Sequence, residues 1–215
     1  MGEHAGHDPD RSAVREEYDR LAHSYDERWA HYVEASVRHT LRRLVVRPGE
    51  RVLDIGCGTG ALLAAMRKVV PAIRVAGVDL APEMLRAARV KLGPMVPLFV
   101  ADVTRLPFPA NAFDAVVSSS SFHYWTDPAA ALTDIARVLR PGGRLVVTDW
   151  CDDYFSCKAC DFVLRALNSV HRGAYSTDEI RTLLTSAGYV VAAVDRYKIN
   201  WLWGLMTASA IQPSP

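Results

Sequence analysis

The sequence is poor in three features that would mark other classes of protein: long apolar runs, an excess of one charge, and cysteine. No apolar run approaches the ~20 residues of a membrane-spanning helix, so we expect no transmembrane segment. Lysine and arginine total 25 against 24 aspartates and glutamates, and the formal net charge of +1 gives no broad attraction to nucleic acid. Four cysteines in 215 residues do not predict a disulfide framework.

What remains is typical of a globular protein, since 50% of the residues are hydrophobic and 23% are charged. Arginines at positions 38, 42, 43 and 47 form a basic group that we interpret as a solvated helix face. The first ten residues are polar and lack the basic start and apolar stretch of a signal peptide, which favours a cytoplasmic protein. We expect a monomer or homodimer whose partner is a small-molecule substrate, without nucleic-acid or membrane partners.

From residue 51 onward, short apolar strands alternate with amphipathic helices. Strands are predicted at residues 51–55, 73–78, 96–100, 113–117 and 144–148. Pro82 begins one helix, Asp127 caps another, and Pro141 with two following glycines stops it. Such alternation is typical of a parallel sheet covered on both faces, and right-handed crossovers then make a doubly wound fold the natural outcome.

The two ends of the chain depart from this alternation. Residues 1–10 are predicted to be disordered, and Tyr18 and Tyr25, seven positions apart, are predicted to share a face of the first helix. A second helix is predicted to end at Pro48. Residues 153–170 are predicted to be helical, and a capping box at residues 176–179 begins the last helix.

The predicted architecture is an α/β Rossmann-like, doubly wound, mostly parallel seven-stranded sheet with an antiparallel edge hairpin and an N-terminal helical cap. The hairpin is assigned to residues 189–197 and 199–205. Residues 1–48 are expected to form the tail and cap. Residues 49–215 are expected to form the core, with a helical insertion at about 151–175.

The strongest functional pattern is a glycine-rich turn between the first core strand and its helix. Gly56, Gly58 and Gly60 follow a buried strand directly, and glycine permits positive φ and close approach of the backbone to a ligand. In an open α/β sheet, ligands bind beyond the carboxyl ends of the strands, where this turn lies. The spacing is G-x-G-x-G, which differs from the G-x-G-x-x-G of dinucleotide-binding folds.

Acidic residues accompany the turn. Asp79 ends the second strand, 23 positions beyond Gly56, where a carboxylate can accept from both hydroxyls of a ribose. Asp102 ends the third strand and is placed to accept from an adenine amine, while Asp54 could hold an ammonium group directly or through water. A carboxylate buried at a strand terminus is otherwise costly, which favours a functional role for Asp79. The set suits a ligand with an ammonium, a sulfonium, a ribose and an adenine.

With these motifs the sequence resembles the class I S-adenosylmethionine-dependent methyltransferases, especially the subfamily (methyltransferase type 11) that includes the ubiquinone and menaquinone biosynthesis C-methyltransferases. The resemblance runs from about residue 18 to 188, and one departure is Ala81, where the family often has serine. The motifs that carry it are Leu53-Asp54-Ile55-Gly56-Cys57-Gly58-Thr59-Gly60, Gly77-Val78-Asp79, Pro82-Glu83-Met84-Leu85, Ala101-Asp102-Val103, Leu106-Pro107-Phe108, Phe113-Asp114 and Arg137-Val138-Leu139-Arg140-Pro141-Gly142-Gly143.

The resemblance implies S-adenosylmethionine as cofactor and methyl transfer by in-line displacement, giving S-adenosylhomocysteine. It implies that the three glycines line the amino-acid end of the cofactor and that Ser118 lies beneath its methionine portion. It also implies that Leu80 and Met84 pack against the adenine and that Val103 meets the adenine edge with Asp102. Ordinary core packing is the alternative for Leu80, Met84 and Val103.

Two further groups are candidates for the chemistry. His123 follows the fourth strand, and histidine as a residue type is suited to act as a general base; the alternative is that His123 packs beside the cofactor or caps the next helix. In similar enzymes the first helix closes over the cofactor, so Tyr18 or Tyr25 could contact the sulfonium, with Tyr25 favoured; core packing of an amphipathic helix is the alternative. His171 and Tyr175 are weaker pocket candidates. Cys151, Cys157 and Cys160 could bind a soft metal, but buried small hydrophobes are the favoured interpretation, and no metal is predicted.

Two other functions stay open at this stage. The first is a nicotinamide-dependent oxidoreductase on the same fold, which the glycine spacing and Asp102 disfavour. The second is an S-adenosylmethionine-binding module without transfer activity, which the complete set of motifs disfavours. The acceptor atom, whether O, N, C or S, is not predicted.

Overall fold

The structure is a computed structural model that describes residues 9–154, 157–158, 173–201 and 203–214. Within them the chain first forms helices α1 (Pro9–Leu21), α2 (Tyr25–Arg28) and α3 (Ala30–Leu44). The alternating part contains β1 (Arg51–Ile55), α4 (Ala61–Val69), β2 (Arg74–Asp79), α5 (Pro82–Leu92), β3 (Leu98–Val100), β4 (Phe113–Ser119), a 3₁₀ turn (Phe122–Tyr124), α6 (Pro128–Val138) and β5 (Leu139–Trp150). The last elements are α7 (Thr177–Ser186), β6 (Val190–Lys198) and β7 (Gly204–Ile211).

The strands form one seven-stranded sheet in the order β3-β2-β1-β4-β5-β7-β6. Neighbours among β1 to β5 pair in parallel, while β7 pairs antiparallel with both β5 and β6. From β1 the chain adds β2 and β3 on one side of that strand and then adds β4 on its other side. This confirms the predicted Rossmann-like, mostly parallel sheet with an edge hairpin, and it places the switch point between β1 and β4.

Apolar residues on the two faces of the sheet pack against separate helical layers. Val52 of β1 faces a cluster with α3, α4 and α5, whereas Leu53 and Ile55 face a cluster with α6 and α7. Because both faces are covered, β1 and β4 are almost entirely buried along their length. Several predicted helix ends are also confirmed: Asp127 accepts from Ala130 N at the start of α6, and the capping box at α7 is complete.

The register aligns the strand ends that matter for function. Ile55 of β1 pairs with Val78 of β2 and with Ser118 of β4. The residues that follow these three strands therefore emerge at the same edge of the sheet.

The predicted single helix containing both Tyr18 and Tyr25 is wrong. The chain breaks after Leu21, where Ser24 N donates to Leu21 O, and α2 then begins at Tyr25. Apolar spacing alone does not reveal this break, because it predicts only that Tyr18 and Tyr25 lie close together, and they do so in the folded chain. The two tyrosine rings lie 6.0 Å apart although they belong to different helices.

The strand boundaries near the C-terminus also differ from the prediction. β7 runs over Gly204–Ile211 instead of residues 199–205, because Asn200 Oδ1 accepts from Trp203 N and turns the chain before the strand begins. β5 is longer than predicted and includes Pro141 and its glycines, so α6 ends earlier, at Val138. α1 begins at Pro9, so the last two residues of the tail predicted to be disordered, Pro9 and Asp10, are helical.

Some predictions fall on parts of the chain that the structure does not describe. Residues 1–8, most of the predicted helix at 153–170, Cys160 and His171 lie outside the described residues. The division into a cap (1–48) and a core (49–215) stays a prediction. In the described part of the chain, no helix is both long and apolar enough to cross a membrane.

Candidate active site

The glycine-rich turn requires its glycines for two physical reasons. Gly56, Gly58 and Gly60 all have positive φ, at 67°, 51° and 77°. A Cβ on Gly56 would also collide with the side chain of Ser121, which approaches from the loop after β4. The turn is tied to the neighbouring strand because Gly56 N and Cys57 N both donate to Val78 O, at 2.9 and 3.0 Å.

A cleft of about 820 Å³, counted with the open space at its mouth, lies over these strand ends. The predicted site residues that line it are Tyr18, Tyr25, Gly56, Gly58, Asp79, Leu80, Met84, Asp102 and Val103. A second cavity of about 440 Å³ lies on the other side of the turn, shares Tyr25, Gly56 and Gly58 with the first, and adds Asp54. The structure thus brings ten of the predicted residues to two adjoining cavities.

Three predicted residues do not line either cavity. Gly60 faces α5, where a Cβ would meet Leu92 Cδ1 at 2.7 Å. Ser118 is fully buried, and its hydroxyl lies 2.7 Å from the Ser121 hydroxyl, which donates to Ile55 O. His123 is also buried, beneath the loop that lines the cleft.

Asp79 receives two backbone hydrogen bonds at the rim of the turn. Gly58 N donates to its Oδ2 at 2.8 Å and Ala81 N donates to its Oδ1 at 2.9 Å. Burial raises the pKa of this carboxyl, and the two N–H groups act in the opposite direction. The carboxylate is therefore fixed in orientation while it still faces the cleft.

Asp54 differs from Asp79 because one of its buried oxygens is unsatisfied. Its residue is 1% exposed, and Oδ2 has no hydrogen-bond partner among the described residues. Burial, and next the nearby charge of Asp79, raise the pKa of Asp54 well above its usual value. A cationic donor placed in the second cavity would satisfy this group, since buried charges are normally paired.

The third acidic residue lies at the opposite end of the cleft. Thr104 N donates to Asp102 Oδ1 at 2.7 Å, and Arg11 Nη1 of α1 lies 2.9 Å from Asp102 Oδ2. Arg11 also donates to Thr126 Oγ1 from Nε and Nη2, both at 3.2 Å. Sequence reasoning missed Arg11, although Arg11, Val14 and Tyr18 have the spacing of one helix face.

Other polar contacts hold the N-terminal helices over the cavities. Asp19 Oδ1 accepts from Glu83 N at the start of α5, at 2.9 Å. Thr59 of the glycine turn donates to Asp26 Oδ1 at 2.6 Å, and Lys91 Nζ lies 2.7 Å from Asp26 Oδ2. Through these contacts the cap is bound to the same segments that line the cleft.

Three tyrosines meet where the cap covers the cleft. The Tyr18 ring lies 6.0 Å from that of Tyr25 and 5.5 Å from that of Tyr124. Burial raises the pKa of all three, that of Tyr124 to about 12, so each remains a neutral phenol at physiological pH. Tyr124 was not predicted as a site residue, although it directly follows His123 in the sequence.

His123 is held by a carboxylate that sequence reasoning also missed. Its Nδ1 lies 2.6 Å from Asp149 Oδ1, and its backbone N donates to Asp149 Oδ2 at 3.1 Å. Its ring stacks on Trp150, with centroids 5.2 Å apart and an interplanar angle of 20°. The sequence feature that could have identified Asp149 as a site residue is its position near the end of β5, at the same sheet edge as the glycine turn.

The cysteines give no sign of a metal site in the part of the chain that is described. Cys151 and Cys157 are buried thiols, and burial raises the pKa of Cys151 to about 12. No group of three metal-ligating side chains occurs among the residues outside the gaps. Tyr175 packs against Phe122, with ring centroids 5.1 Å apart.

Comparison with known proteins agrees with this geometry. Residues 53–147 match the family model described as Methyltransferase domain. The chain is 34% identical over 192 residues to the malonyl-[acyl-carrier protein] O-methyltransferase of Geobacter sulfurreducens, a match that covers 84% of this chain and 71% of the relative. The chain belongs to the class I S-adenosylmethionine-dependent methyltransferases. The resemblance found in the sequence is thereby confirmed, with S-adenosylmethionine as the cofactor.

Other relatives are matched over less of their length. The demethylmenaquinone methyltransferase of Corynebacterium kroppenstedtii is 38% identical over 143 residues, which are 65% of this chain and 60% of that protein. The O-methyltransferase cnsE of Penicillium expansum is 32% identical over 163 residues, which are 74% of this chain and 58% of that protein. The chain thus spans less than two thirds of these two curated relatives.

Solved structures confirm the fold. A Haloferax volcanii methyltransferase, solved in complex with the Trm112 methyltransferase activator, superposes with a TM-score of 0.81 at 26% identity, covering 92% of this chain and 98% of that chain. A SAM-dependent methyltransferase from Aquifex aeolicus gives a TM-score of 0.66 at 24% identity, covering 81% of this chain and 88% of that chain.

Proposed function

We propose that this protein transfers a methyl group from S-adenosylmethionine to a small-molecule acceptor, with the cofactor lying across the two adjoining cavities. The observation that carries this proposal is Asp54, a buried carboxylate with an unpartnered oxygen beside the glycine turn. The ammonium of the cofactor's amino-acid portion is the donor that this site lacks. The fit is therefore supported by the electrostatics of the site as well as by the motif.

The remaining lining residues divide among the other parts of the cofactor. Asp79 holds the ribose, because its oxygens face the cleft while two N–H groups fix the carboxylate. Leu80, Met84 and Val103 supply the apolar walls for the adenine, and Asp102 accepts from its amine. In this assignment each of the three acidic residues binds a different group of one ligand. Each charged hydrogen bond contributes about 1.5–3 kcal/mol.

When bound, the cofactor supplies an electrophilic methyl group on a sulfonium, and transfer breaks the S–CH₃ bond as the bond to the acceptor atom forms. The protein contributes orientation, which is worth about 7–11 kcal/mol in favourable cases. Tyr18, Tyr25 and Tyr124 exclude water from the methyl end and present neutral, electron-rich rings there.

We assign the general-base role to His123. Asp149 accepts from His123 Nδ1, which holds the proton on that nitrogen and leaves Nε2 as the proton acceptor. Trp150 stacks on one face of the imidazole, so the acceptor would have to reach Nε2 in the plane of the ring. A proton lost by the acceptor would pass to His123 Nε2.

The small-molecule acceptor is supported by the balanced charge of the chain and by relatives such as the demethylmenaquinone methyltransferase. The near-zero net charge does not favour a polyanionic substrate. A cytoplasmic location and a monomeric or homodimeric state stay predictions. A partner protein remains an alternative to these states, since the Haloferax neighbour forms a complex with an activator.

Calorimetric titration tests the proposed function. S-adenosylhomocysteine should bind, whereas NAD⁺ and NADH should bind at least tenfold more weakly or not at all. Release of S-adenosylhomocysteine from S-adenosylmethionine in the presence of an acceptor panel then measures transfer. Tighter binding of a dinucleotide would overturn the proposal in favour of an oxidoreductase, and cofactor binding without product release from any acceptor would favour a non-catalytic module.

A further inference from the structure

Four aromatic side chains, Trp29, Tyr32, Trp150 and Trp203, form a cluster that the cofactor assignment does not use. We call this cluster the aromatic wall. The Trp203 centroid lies 5.9 Å from that of Trp29, 6.3 Å from that of Tyr32 and 6.2 Å from that of Trp150. All three pairs are near edge-to-face, and all four residues are only partly buried.

Hydrogen bonds join the aromatic wall to the cofactor cavities. The Tyr32 hydroxyl lies 2.7 Å from the Ser120 hydroxyl and accepts from Trp150 Nε1 at 2.8 Å. Ser120 lines both cavities and has a φ of +61°, which is strained for a residue with a side chain. The aromatic wall therefore begins at the residue that borders the cofactor and continues away from it.

The aromatic wall also borders the candidate base, because Trp150 stacks on His123. The aromatic wall thus contacts both the candidate base, through Trp150, and the Ser120 loop, through Tyr32.

One polar atom of the aromatic wall has no partner in the part of the chain that the structure describes. Within that part, Trp203 Nε1 is buried and makes no hydrogen bond, whereas Trp150 Nε1 in the same cluster donates to Tyr32. A buried donor left unpaired costs about 1–3 kcal/mol, so such groups in folded proteins call for an explanation. An oxygen on a bound molecule would satisfy this donor.

Trp203 is held by contacts on both sides of its backbone. Asn200 Oδ1 accepts from Trp203 N at 2.6 Å, and the next residue, Gly204, donates from its N to Cys157 Sγ at 3.1 Å. A Cβ on Gly204 would collide with the ring of Tyr154, so the chain lies directly under that ring. The unpaired indole is therefore presented by a fixed segment, as a preorganised binding group would be.

We propose that Trp203 is a specificity-determining residue of the acceptor subsite. The aromatic wall stacks against a flat, conjugated acceptor, and Trp203 Nε1 donates a hydrogen bond to an oxygen of that acceptor. This inference rests on the proposed function, because it names the substrate class of the same site. It also gives a role to Trp150 and Trp203, which the family motifs leave unassigned.

The test uses two small probes, 1-indanone and indane, which differ by a carbonyl group in place of a methylene, titrated into the full-length protein saturated with S-adenosylhomocysteine. Dissociation constants come from ligand-observed NMR. We expect wild-type protein to bind 1-indanone about three- to tenfold more tightly than indane, which is the effect of one neutral hydrogen bond. Trp203→Phe keeps an aromatic ring, removes the N–H group, and should reduce this preference to about onefold.

The matched control is Trp201→Phe, since Trp201 lies two positions away and is 82% exposed. It should leave the preference for 1-indanone unchanged. Unchanged affinity for S-adenosylhomocysteine and an unchanged circular dichroism spectrum show that a variant is folded. Should Trp203→Phe not fold, the wild-type comparison still decides, because equal affinity for the two probes would overturn the inference.

A third probe, the acetoacetyl thioester of N-acetylcysteamine, represents flexible aliphatic acceptors. Stronger binding of this thioester than of 1-indanone would overturn the inference, as would a preference for 1-indanone that survives in Trp203→Phe. These failures leave cofactor binding and product release intact. They are therefore distinguishable from failure of the proposed function, in which S-adenosylhomocysteine itself would not bind.

Discussion

Replacing Asp54 by asparagine keeps the shape of the side chain and removes a buried charge. Asp54 is 1% exposed, and its Oδ2 has no hydrogen-bond partner outside the gaps in the described chain. An unpaired buried charge costs more than an unpaired neutral polar group, whose cost is about 1–3 kcal/mol. At a pH above the raised pKa of Asp54, we therefore expect Asp54→Asn, which removes the charge, to stabilise the cofactor-free protein by about 1–3 kcal/mol. For a chain of this size, Tm rises by about 2–4 °C for each kcal/mol.

The same substitution should weaken binding of S-adenosylhomocysteine, because the ammonium loses its charged acceptor. A hydrogen bond to a charged group contributes about 1.5–3 kcal/mol, so the dissociation constant should increase roughly ten- to hundredfold. Calorimetry measures the affinity, and thermal unfolding without ligand measures the stability. Opposite signs in the two experiments are the signature of a carboxylate that is retained for its ligand.

The pH dependence has a definite sign. Burial, and next Asp79, raise the folded pKa of Asp54 above its unfolded value, so the cofactor-free protein gains stability as the pH falls through the folded pKa and loses it as the pH rises. An ammonium beside Asp54 lowers that pKa, and binding below the raised pKa must release a proton. Affinity should therefore increase with pH and level off once Asp54 is ionised. In Asp54→Asn this dependence should disappear.

Asp114 provides the matched control. It is also a buried aspartate, but it lies near the start of β4, at the opposite end of the sheet, and its oxygens contact Arg140 Nη1 at 2.7 Å and Arg51 N at 2.6 Å. Asp114→Asn should lower Tm and leave ligand affinity unchanged. If Asp54→Asn lowered Tm in the same way and bound S-adenosylhomocysteine within about twofold of wild type, the reasoning from the unpartnered oxygen would be refuted.

Three other substitutions test the rest of the site. Asp79→Ala should weaken S-adenosylhomocysteine binding at least about tenfold with an unchanged circular dichroism spectrum, since the ribose loses charged hydrogen bonds; unchanged calorimetric affinity would contradict the ribose assignment. His123→Ala should lower kcat by about 10²–10⁴-fold with ligand affinity within about twofold, whereas an equal loss in both would assign His123 to packing. Gly56→Ala should abolish ligand binding, because a Cβ there meets Ser121 and the positive φ is strained. Gly93 also has positive φ but open space around it, so Gly93→Ala should lower only the stability.

Local sequence signals were sufficient for the features that depend on a few neighbouring residues. The capping residues Asp127 and Ser176 act through hydrogen bonds within one helical turn, and both were predicted correctly. The glycine turn and Asp79 were predictable because parallel strands bring their carboxyl ends to one edge of the sheet. The register of β1 with β2 then determines their distance.

Contacts between distant segments were not predictable from one sequence. Arg11 and Thr126 are 115 positions apart, and His123 and Asp149 are 26 positions apart. No periodicity or capping rule connects such pairs, because their geometry depends on how the cap packs over the finished sheet. The error in β7 has a different origin: residues 199–205 are as apolar as a strand, and only the hydrogen bond from Trp203 N to Asn200 shows that they form a turn.

Asp54 and Asp79 illustrate how one edge of a sheet can hold two carboxylates of different character. Asp79 receives backbone N–H groups from Gly58 and Ala81, which stabilise its charge before any ligand arrives. Asp54 has no such support, and the neighbouring charge raises its pKa further. The free energy that ligand binding can recover is therefore concentrated at Asp54. A site arranged in this way favours a ligand that carries a cation next to a hydroxyl-bearing ring, and it does so at the expense of the stability of the empty protein.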